Sequence, residues 1–413
     1  MRVWYVSAYD QPRGQSTRTY DYSRELVARG HDVTMFCNSY CHFTHRELLN
    51  PGERWRIEFV DGIRVVWLRT YHYKGNGLGR GINMLSNVWS LLRAVAALDL
   101  RPDVVLGPSV PLLTGWGAMR LARKFDVPFV FEVRDVWPDT LVDLGGLSRS
   151  SPVYHVFRMI EKLLYRRASR ISSVLPFLND HVRLAGSDPG KIVCIPNGVD
   201  LSPYDAGGDY DGGKQPLVVM YVGGFGLVHD VPTIVRAAKI LQEEGSKDFR
   251  FVVIGGGVRK QACEAEAASY GLENLTFQAP IPKTSLPAVQ AQADILIAAV
   301  TDSPTYRFGM NLNKLCSYFA SRRPVVFAGN SPNDLVREAG AGVSIGPENP
   351  GMMVRALRQL LDAGPAERMR LGANARRHAE NSLSLTALGT KMESMLRTVI
   401  DEHQRSTTQQ GSR

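Results

Sequence analysis

Thr301-Asp-Ser-Pro-Thr-Tyr-Arg-Phe-Gly-Met-Asn-Leu-Asn-Lys-Leu-Cys-Ser-Tyr-Phe-Ala-Ser-Arg-Arg-Pro-Val-Val-Phe-Ala-Gly329 sets a glycine-containing polar loop directly before an amphipathic helix, then returns through a basic turn into a β-branched strand. The N–H groups of such a loop and the positive end of the helix dipole converge where strands end, which favours an anionic, oxygen-rich ligand such as a diphosphate. An ordinary strand-loop-helix connection of an α/β domain has the same outline, so the rest of the chain must decide.

Outward from this segment, short β-branched or aromatic runs alternate with helical patterns in both directions, the signature of parallel sheets covered by helices. Strands are expected at 2–6, 32–36, 64–68, 104–107, 128–132, 171–174 and 192–195, and again at 217–222, 251–254, 275–278, 295–299, 324–327 and 342–345. Between the two sets lies a stretch rich in Gly, Asp and Pro. The expected organisation is a Rossmann-like domain over 1–200, a linker over 201–215 and a second Rossmann-like domain over 216–382. A helix over 383–403 crosses back to brace the first domain, and 404–413 forms a frayed tail. Two doubly wound α/β domains facing across a cleft bind ligands at their strand ends.

The 413 residues suit two cores, and 44% hydrophobic with 22% charged residues is ordinary for a globular enzyme. A net charge of +9 favours an anionic partner. Nucleic acid is not expected, because the basic residues are spread out and no reading motif accompanies them. Met1-Arg-Val-Trp-Tyr-Val-Ser7 enters a strand at once without the features of an export signal, and five scattered cysteines fit a reducing compartment, so a cytoplasmic location is expected. Cys37, Cys41, His42 and His45 match no common zinc spacing, and no metal is expected there. The apolar helix over 84–98 is too short to span a bilayer and contains Asn87, Ser90 and Arg93.

Several loops carry chemistry. In Ser7-Ala-Tyr-Asp-Gln-Pro-Arg-Gly-Gln-Ser-Thr-Arg18, Gly14 allows close backbone approach while Ser16, Thr17 and Arg18 can cap a helix and bind oxygens or phosphate. Tyr221-Val-Gly-Gly-Phe-Gly-Leu-Val-His-Asp230 offers Gly223, Gly224 and Gly226, but His229 stands where a dinucleotide fingerprint needs glycine. Ile254-Gly-Gly-Gly-Val-Arg-Lys260 repeats the design with Arg259 and Lys260 at a helix start, where a cation is disfavoured unless an anion compensates. Phe131-Glu-Val-Arg-Asp-Val-Trp-Pro-Asp139 follows a strand. Its charges form either a structural ion network or a site in which Asp135 bonds a hydroxyl and Arg134 an anionic oxygen. Arg158, Lys162, Arg166 and Arg170 share one helix face, either solvated or drawn to an anionic membrane surface.

Taken together, the chain resembles the family-4 retaining glycosyltransferases of the GT-B fold along nearly its whole length. Glu25-Leu-Val-Ala-Arg-Gly-His-Asp-Val-Thr34 is similar to that family's helix-to-strand passage and Lys191-Ile-Val-Cys-Ile-Pro-Asn-Gly-Val-Asp200 to its linker entry. Phe131 to Asp139 resembles a signature of a bacterial branch that includes N-acetylfucosamine and related amino-deoxysugar transferases of surface-polysaccharide assembly.

The resemblance implies metal-independent transfer, with retention, of an amino or deoxy sugar from a nucleotide diphosphate donor, UDP by expectation, to a lipid-linked oligosaccharide by a protein peripheral to the inner face of the cytoplasmic membrane. It further implies that Gly14 and Arg18 line the cleft and that Arg134 and Asp135 are catalytic. Gly223 to Gly226, Arg259 or Lys260, and the helix start near Lys314 would neutralise the diphosphate. Phe308, Gly309, Met310 and Asn311 would form the donor loop, with Met310 and Asn311 giving N–H groups, and Lys283 would lie near the base. Ser317 stands where many members place a ribose-binding glutamate. Two rivals remain: a nucleotide-sugar 2-epimerase of the same fold, and a non-catalytic nucleotide-sugar-binding scaffold.

Overall fold

The computed structural model describes residues 1–411 apart from 13, 15, 16, 43, 76 and 207–209. Ser16 therefore lies outside the described residues. The chain divides into two compact units, residues 1–196 together with 385–413, and residues 197–384.

The first unit is built on β1 (Arg2–Ser7), β2 (Asp32–Asn38), β3 (Trp55–Val60), β4 (Ile63–Leu68), β5 (Val104–Pro108), β6 (Phe129–Val133), β7 (Arg170–Ser173) and β8 (Ile192–Cys194), in the order β3-β4-β2-β1-β5-β6-β7-β8. All neighbours are parallel except β3 and β4. The expected strands appear to within two residues, but β3 was not among them. Its hairpin turns on Asp61-Gly62, both at positive φ (49° and 78°), the pairing a two-residue turn between twisted strands requires. Strand order reverses between β1 and β5, which opens a crevice at their carboxyl ends.

The last helix, Leu385–Gly411, completes this unit's core. Leu388, Met392, Leu396 and Val399 form one stripe buried against Val3, Tyr5, Leu26 and Met35. At its margin His31 Nε2 lies 3.0 Å from Glu393 and Arg170 pairs with Glu402 at 2.6 Å. Where a frayed tail was expected over 404–413, the helix runs on as far as Gly411, and 412–413 lie outside the described residues. Once a helix is anchored, extension needs no new nucleus, and Ser406, Thr407 and Thr408 bond the carbonyls four residues back.

The second unit carries β9 (Leu217–Val222), β10 (Phe249–Ile254), β11 (Leu275–Gln278), β12 (Ile295–Ala299), β13 (Val325–Ala328) and β14 (Gly342–Ile345), all parallel, in the order β11-β10-β9-β12-β13-β14. Alternate β9 residues face opposite cores: Leu217, Val219 and Tyr221 on one side, Met220 and Val222 on the other. The described part of the expected linker is no loose tether. Tyr204 and Tyr210 are buried in this unit, the Tyr210 hydroxyl donates to the Asp294 carbonyl at 2.9 Å, and Val199 N–H bonds the Leu383 carbonyl at 2.8 Å. Two aromatic rings outweigh a loop-like composition.

Candidate functional site

In the second sheet β9 and β12 pair only at Val219 with Ile295 and Met220 with Leu296. Beyond that point Val222 has no strand partner on this side. The Tyr318 hydroxyl takes the place of one, accepting from Val222 N–H (2.8 Å) and donating to Val222 C=O (3.1 Å). This fixes the helix Asn313–Ala320 beside the end of β9, with Leu315, Cys316, Tyr318 and Phe319 buried next to Met220 and Val222. The first turn brings Lys314 to the strand end. Its ammonium donates to the Tyr221 hydroxyl at 2.8 Å and lies 4.2 Å from that ring's centre, while the hydroxyl donates to Gly224 C=O at 2.6 Å. A Cβ on Gly223 would stand 3.1 Å from the Lys314 nitrogen, so glycine keeps this approach open.

No carboxylate balances Lys314 among the described residues, and desolvation lowers its pKa to about 7. The helix start itself has neither a side-chain cap nor an acidic residue in its first turn. A cation, an uncapped dipole and a glycine loop thus meet at the point where the strand order reverses, a place that an anion would stabilise. His229 accepts the Gly226 N–H on Nδ1 at 3.2 Å, and burial, assisted by Lys314, lowers its pKa to about 3. It adds no charge.

The other expected donor residues are placed unevenly. A Cβ on Gly255 would lie 1.8 Å from the Gly223 carbonyl oxygen and one on Gly257 2.8 Å from that of Phe225. Those two glycines let neighbouring loops pack backbone to backbone, not a ligand approach. Lys260 is committed, donating to Gln278 C=O at 2.6 Å with Glu264 3.7 Å away. Arg259 is part-exposed at the start of the helix Lys260–Ser269, and no ion pair holds it among the described residues. Lys283 sits in an exposed turn after β11, the sheet's edge strand, two places from the reversal.

In the loop before the helix, Gly309 has φ 91° and Phe308 lies under Arg307, 4.5 Å from ring centre to guanidinium. Met310 cannot offer its N–H, which Asn333 Oδ1 accepts at 2.7 Å while Asn333 Nδ2 donates back to Met310 C=O at 2.8 Å. Asn311 Oδ1 accepts from Asn197 N–H at 2.9 Å, tying the loop to the start of the unit. Ser317 is buried, donating to Lys314 C=O (2.9 Å) and accepting from Gln290 (3.0 Å). Both of these bonds hold its hydroxyl within its own unit.

In the first unit, Arg18 and Arg134 belong to the structural network and not to an exposed binding surface. Arg18 pairs with Glu132 at 3.0 Å and donates to the carbonyls of Ile195 and Pro196, both at 2.8 Å. Arg134 joins Glu132 (2.7 Å), Asp10 (2.6 Å) and Thr19 (2.7 Å). Tyr5 donates to Glu132 as well. Two cations and two carboxylates balance. Burial alone would raise the Glu132 carboxyl, but Arg134 and Arg18 outweigh it and hold it below the ordinary range. Such charges must pair once buried. Gly14 closes a turn on the Gln11 carbonyl at 3.0 Å.

Asp135 lies just past this network, exposed, with its own carbonyl accepting from Ser109 Oγ at 2.8 Å. Crowding at the strand end desolvates its carboxyl and raises the pKa, with Arg134 opposing. The loops after β1, β2 and β6 gather aromatic rings: Tyr9 and His42 lie 4.7 Å apart, and the Arg80 guanidinium is 5.5 Å from Tyr9 and 5.4 Å from Trp137. Burial, then Arg80, lowers the His42 pKa to about 4. Sequence reading passed over Tyr9, Arg80, Tyr221 and Asp10. Tyr221 carried a signal, since a tyrosine on the core face at a strand's end needs a partner for its hydroxyl.

Comparison with known proteins agrees with this architecture. Residues 13–198 match the model of the glycosyl transferase 4-like domain, and residues 216–363 match that of the glycosyl transferases group 1. The chain is 21% identical over 305 residues to a protein of Pseudomonas aeruginosa named probable glycosyltransferase WbjE, covering 70% of this chain and 74% of the relative. Similar solved structures include sucrose-phosphate synthase from Thermosynechococcus elongatus, with TM-score 0.74 and 17% identity over 97% of this chain and 99% of the other. Another is HepE of Anabaena in complex with UDP-glucose, with TM-score 0.68 and 13% identity over 96% of this chain and 100% of the other. Two doubly wound units, each matched by a glycosyltransferase domain model, identify the chain as a glycosyltransferase of the GT-B fold.

Proposed function

We propose that this glycosyltransferase moves an amino or deoxy sugar from a UDP donor to a lipid-linked oligosaccharide in bacterial surface-polysaccharide synthesis, with retention and without a metal, on the cytoplasmic side of the membrane. The observation that carries the reading is Lys314, an ammonium without a carboxylate at the reversal point of the second sheet, beside Gly223 and an uncapped helix start. A diphosphate there would restore the balance that desolvation removes. Arg259, part-exposed after the neighbouring strand, supplies a second cation for the same charge.

In this mechanism the bond between the anomeric carbon and the diphosphate oxygen breaks as the acceptor oxygen bonds to the same face. The acceptor's proton passes to the leaving diphosphate, whose charge Lys314 and the helix start stabilise. Asp135, with its raised carboxyl pKa, orients a sugar or acceptor hydroxyl by accepting its hydrogen bond. Arg134 acts behind it as a positioning residue, fixed by Glu132 and Asp10. The sugar class rests on the resemblance of Phe131 to Asp139, and a UDP donor is consistent with the complex of HepE.

The test is binding of UDP and a panel of UDP-sugars, read by thermal shift and calorimetry. A ligand at a hundred times its dissociation constant stabilises by about 2.7 kcal/mol. Lys314→Met is expected to weaken UDP-sugar binding by about tenfold or more, since a charge-assisted contact to phosphate contributes about 1.5–3 kcal/mol. Unchanged affinity in that variant would remove the diphosphate from this place. Donor converted without any acceptor would point to an isomerase, and proton NMR of the product's anomeric centre checks retention.

A further inference from the structure

The helix Leu78–Ala97 carries apolar side chains on both faces. Its inward face buries Met84, Val88, Leu91, Ala94 and Val95, and the three polar side chains among them, Asn83, Asn87 and Ser90, each find partners. Asn83 donates to Tyr71 C=O (2.6 Å) and Thr70 Oγ1 (3.1 Å), Asn87 accepts from Thr114 (2.8 Å) and donates to Asn38, and Ser90 donates to Arg69 C=O (2.6 Å). Its outward face holds Leu78, Ile82, Leu85 and Trp89, exposed by 90%, 47%, 61% and 57%. Spacings of four, three and four residues put these side chains on one stripe. Isolated apolar residues on a surface need no explanation, but a continuous exposed stripe on a helix whose other face is already packed and pinned does.

The surroundings are cationic. Between Asp61 and Asp99 the sequence contains Arg64, Arg69, Lys74, Arg80 and Arg93 and no acidic residue. The adjoining helix Leu112–Phe125 has no acidic residue either and exposes Arg120, Arg123 and Lys124. The exposed Trp89 and the half-buried Trp116 each carry a guanidinium: Arg93 lies 4.0 Å from the Trp89 ring and Arg120 5.3 Å from Trp116. Beyond lies the helix Pro152–Arg167, with Val153, Val156 and Met159 exposed. Tryptophan with arginine beside bare aliphatic side chains suits the boundary between acyl chains and anionic headgroups.

We propose that this face of the first unit docks on an anionic lipid bilayer, with Leu78, Ile82, Leu85 and Trp89 entering the acyl boundary and the arginines meeting lipid phosphates. No helix among the described residues is long and apolar enough to cross a membrane. The hydrogen bonds of Asn83, Asn87 and Ser90 hold the helix to its own fold, so it lies on the surface. A second copy of the chain is the poorer occupant, because a two-fold contact would set one cationic face against another. The inference stands apart from which sugar is moved, and its test uses neither donor nor acceptor.

Full-length protein is floated with phosphatidylcholine vesicles with and without phosphatidylglycerol, alongside Leu85→Glu/Trp89→Glu and Arg93→Glu/Arg120→Glu. Wild type is expected to float with the anionic vesicles and to be partly released by raised salt. Both variants should keep the wild-type melting temperature and near-ultraviolet circular dichroism while losing about tenfold or more of the binding. Failure of wild type to bind, or equal binding by folded variants, overturns the proposal. So does light scattering that finds a wild-type dimer which Leu85→Glu/Trp89→Glu dissociates.

Discussion

Lys314 and Arg18 are both cations beside a strand end, and they differ in what balances them. Arg18 has Glu132 within a closed network of two carboxylates and two guanidinium groups. Arg18→Met leaves the network with a surplus negative charge in the interior, and the expected cost is about 3–5 kcal/mol in urea unfolding of the purified variant. Lys314 has no such partner, and this makes ligand binding pH-dependent. Below about pH 7 the amine is already protonated and UDP-sugar affinity should be flat; above it, binding must first recover a proton, so the dissociation constant should rise with pH. Calorimetry between mild acid and mild alkali checks this, and Lys314→Met should lose the dependence. The linked stability effect has the opposite appearance. The folded pKa lies below the ordinary lysine value, so between the two the unfolded chain holds a proton that the folded one lacks. Without ligand, wild type should therefore gain stability relative to Lys314→Met as pH rises through that window. How much of this was legible follows the same division. A lysine after a polar loop at a helix start announces itself in sequence, and Glu132 beside Arg134 hinted at an ion network, but the pairs that close it, Arg18 with Glu132 and Arg134 with Asp10, join residues far apart in the chain.

The strands were readable because buried parallel strands are short β-branched runs, bounded by glycine or proline, and nothing else in the chain has that form. β3 was missed because Arg56 and Glu58 interrupt its apolar residues and it lies largely exposed on the sheet's edge, although Asp61-Gly62 marked the turn. The glycines of 254–257 were over-read for a related reason: close approach by a ligand and close approach by another loop demand the same residue. The last helix carries the clearest prediction at this scale. Burying Leu388, Met392, Leu396 and Val399 contributes about 1.5–3 kcal/mol each, which together rivals the roughly 5–15 kcal/mol that holds a typical domain. Ending the chain after Ser384 should strip hydrogen-exchange protection from β1 and β2 while β9 and β12 keep theirs. Equal protection in both forms would show that the helix is dispensable.

Across the molecule, the surplus of nine positive charges is not evenly meaningful. Some cations are internal, as in the network around Glu132; others stand on the helices of one surface layer where no acid accompanies them. Only the second kind can act at a distance, and a single net-charge figure hides the distinction. The order of synthesis gives the last helix a further meaning. Residues 197–384, which are 188 in number, must leave the ribosome after the first unit's strands and before the helix that finishes its core. At the usual 5–20 residues per second that interval lasts about 10–40 s. Throughout it, the face formed by Val3, Tyr5, Leu26 and Met35 has no cover of its own. The second unit, contiguous in sequence, can mature first, so the half of the enzyme made earliest is the half finished last.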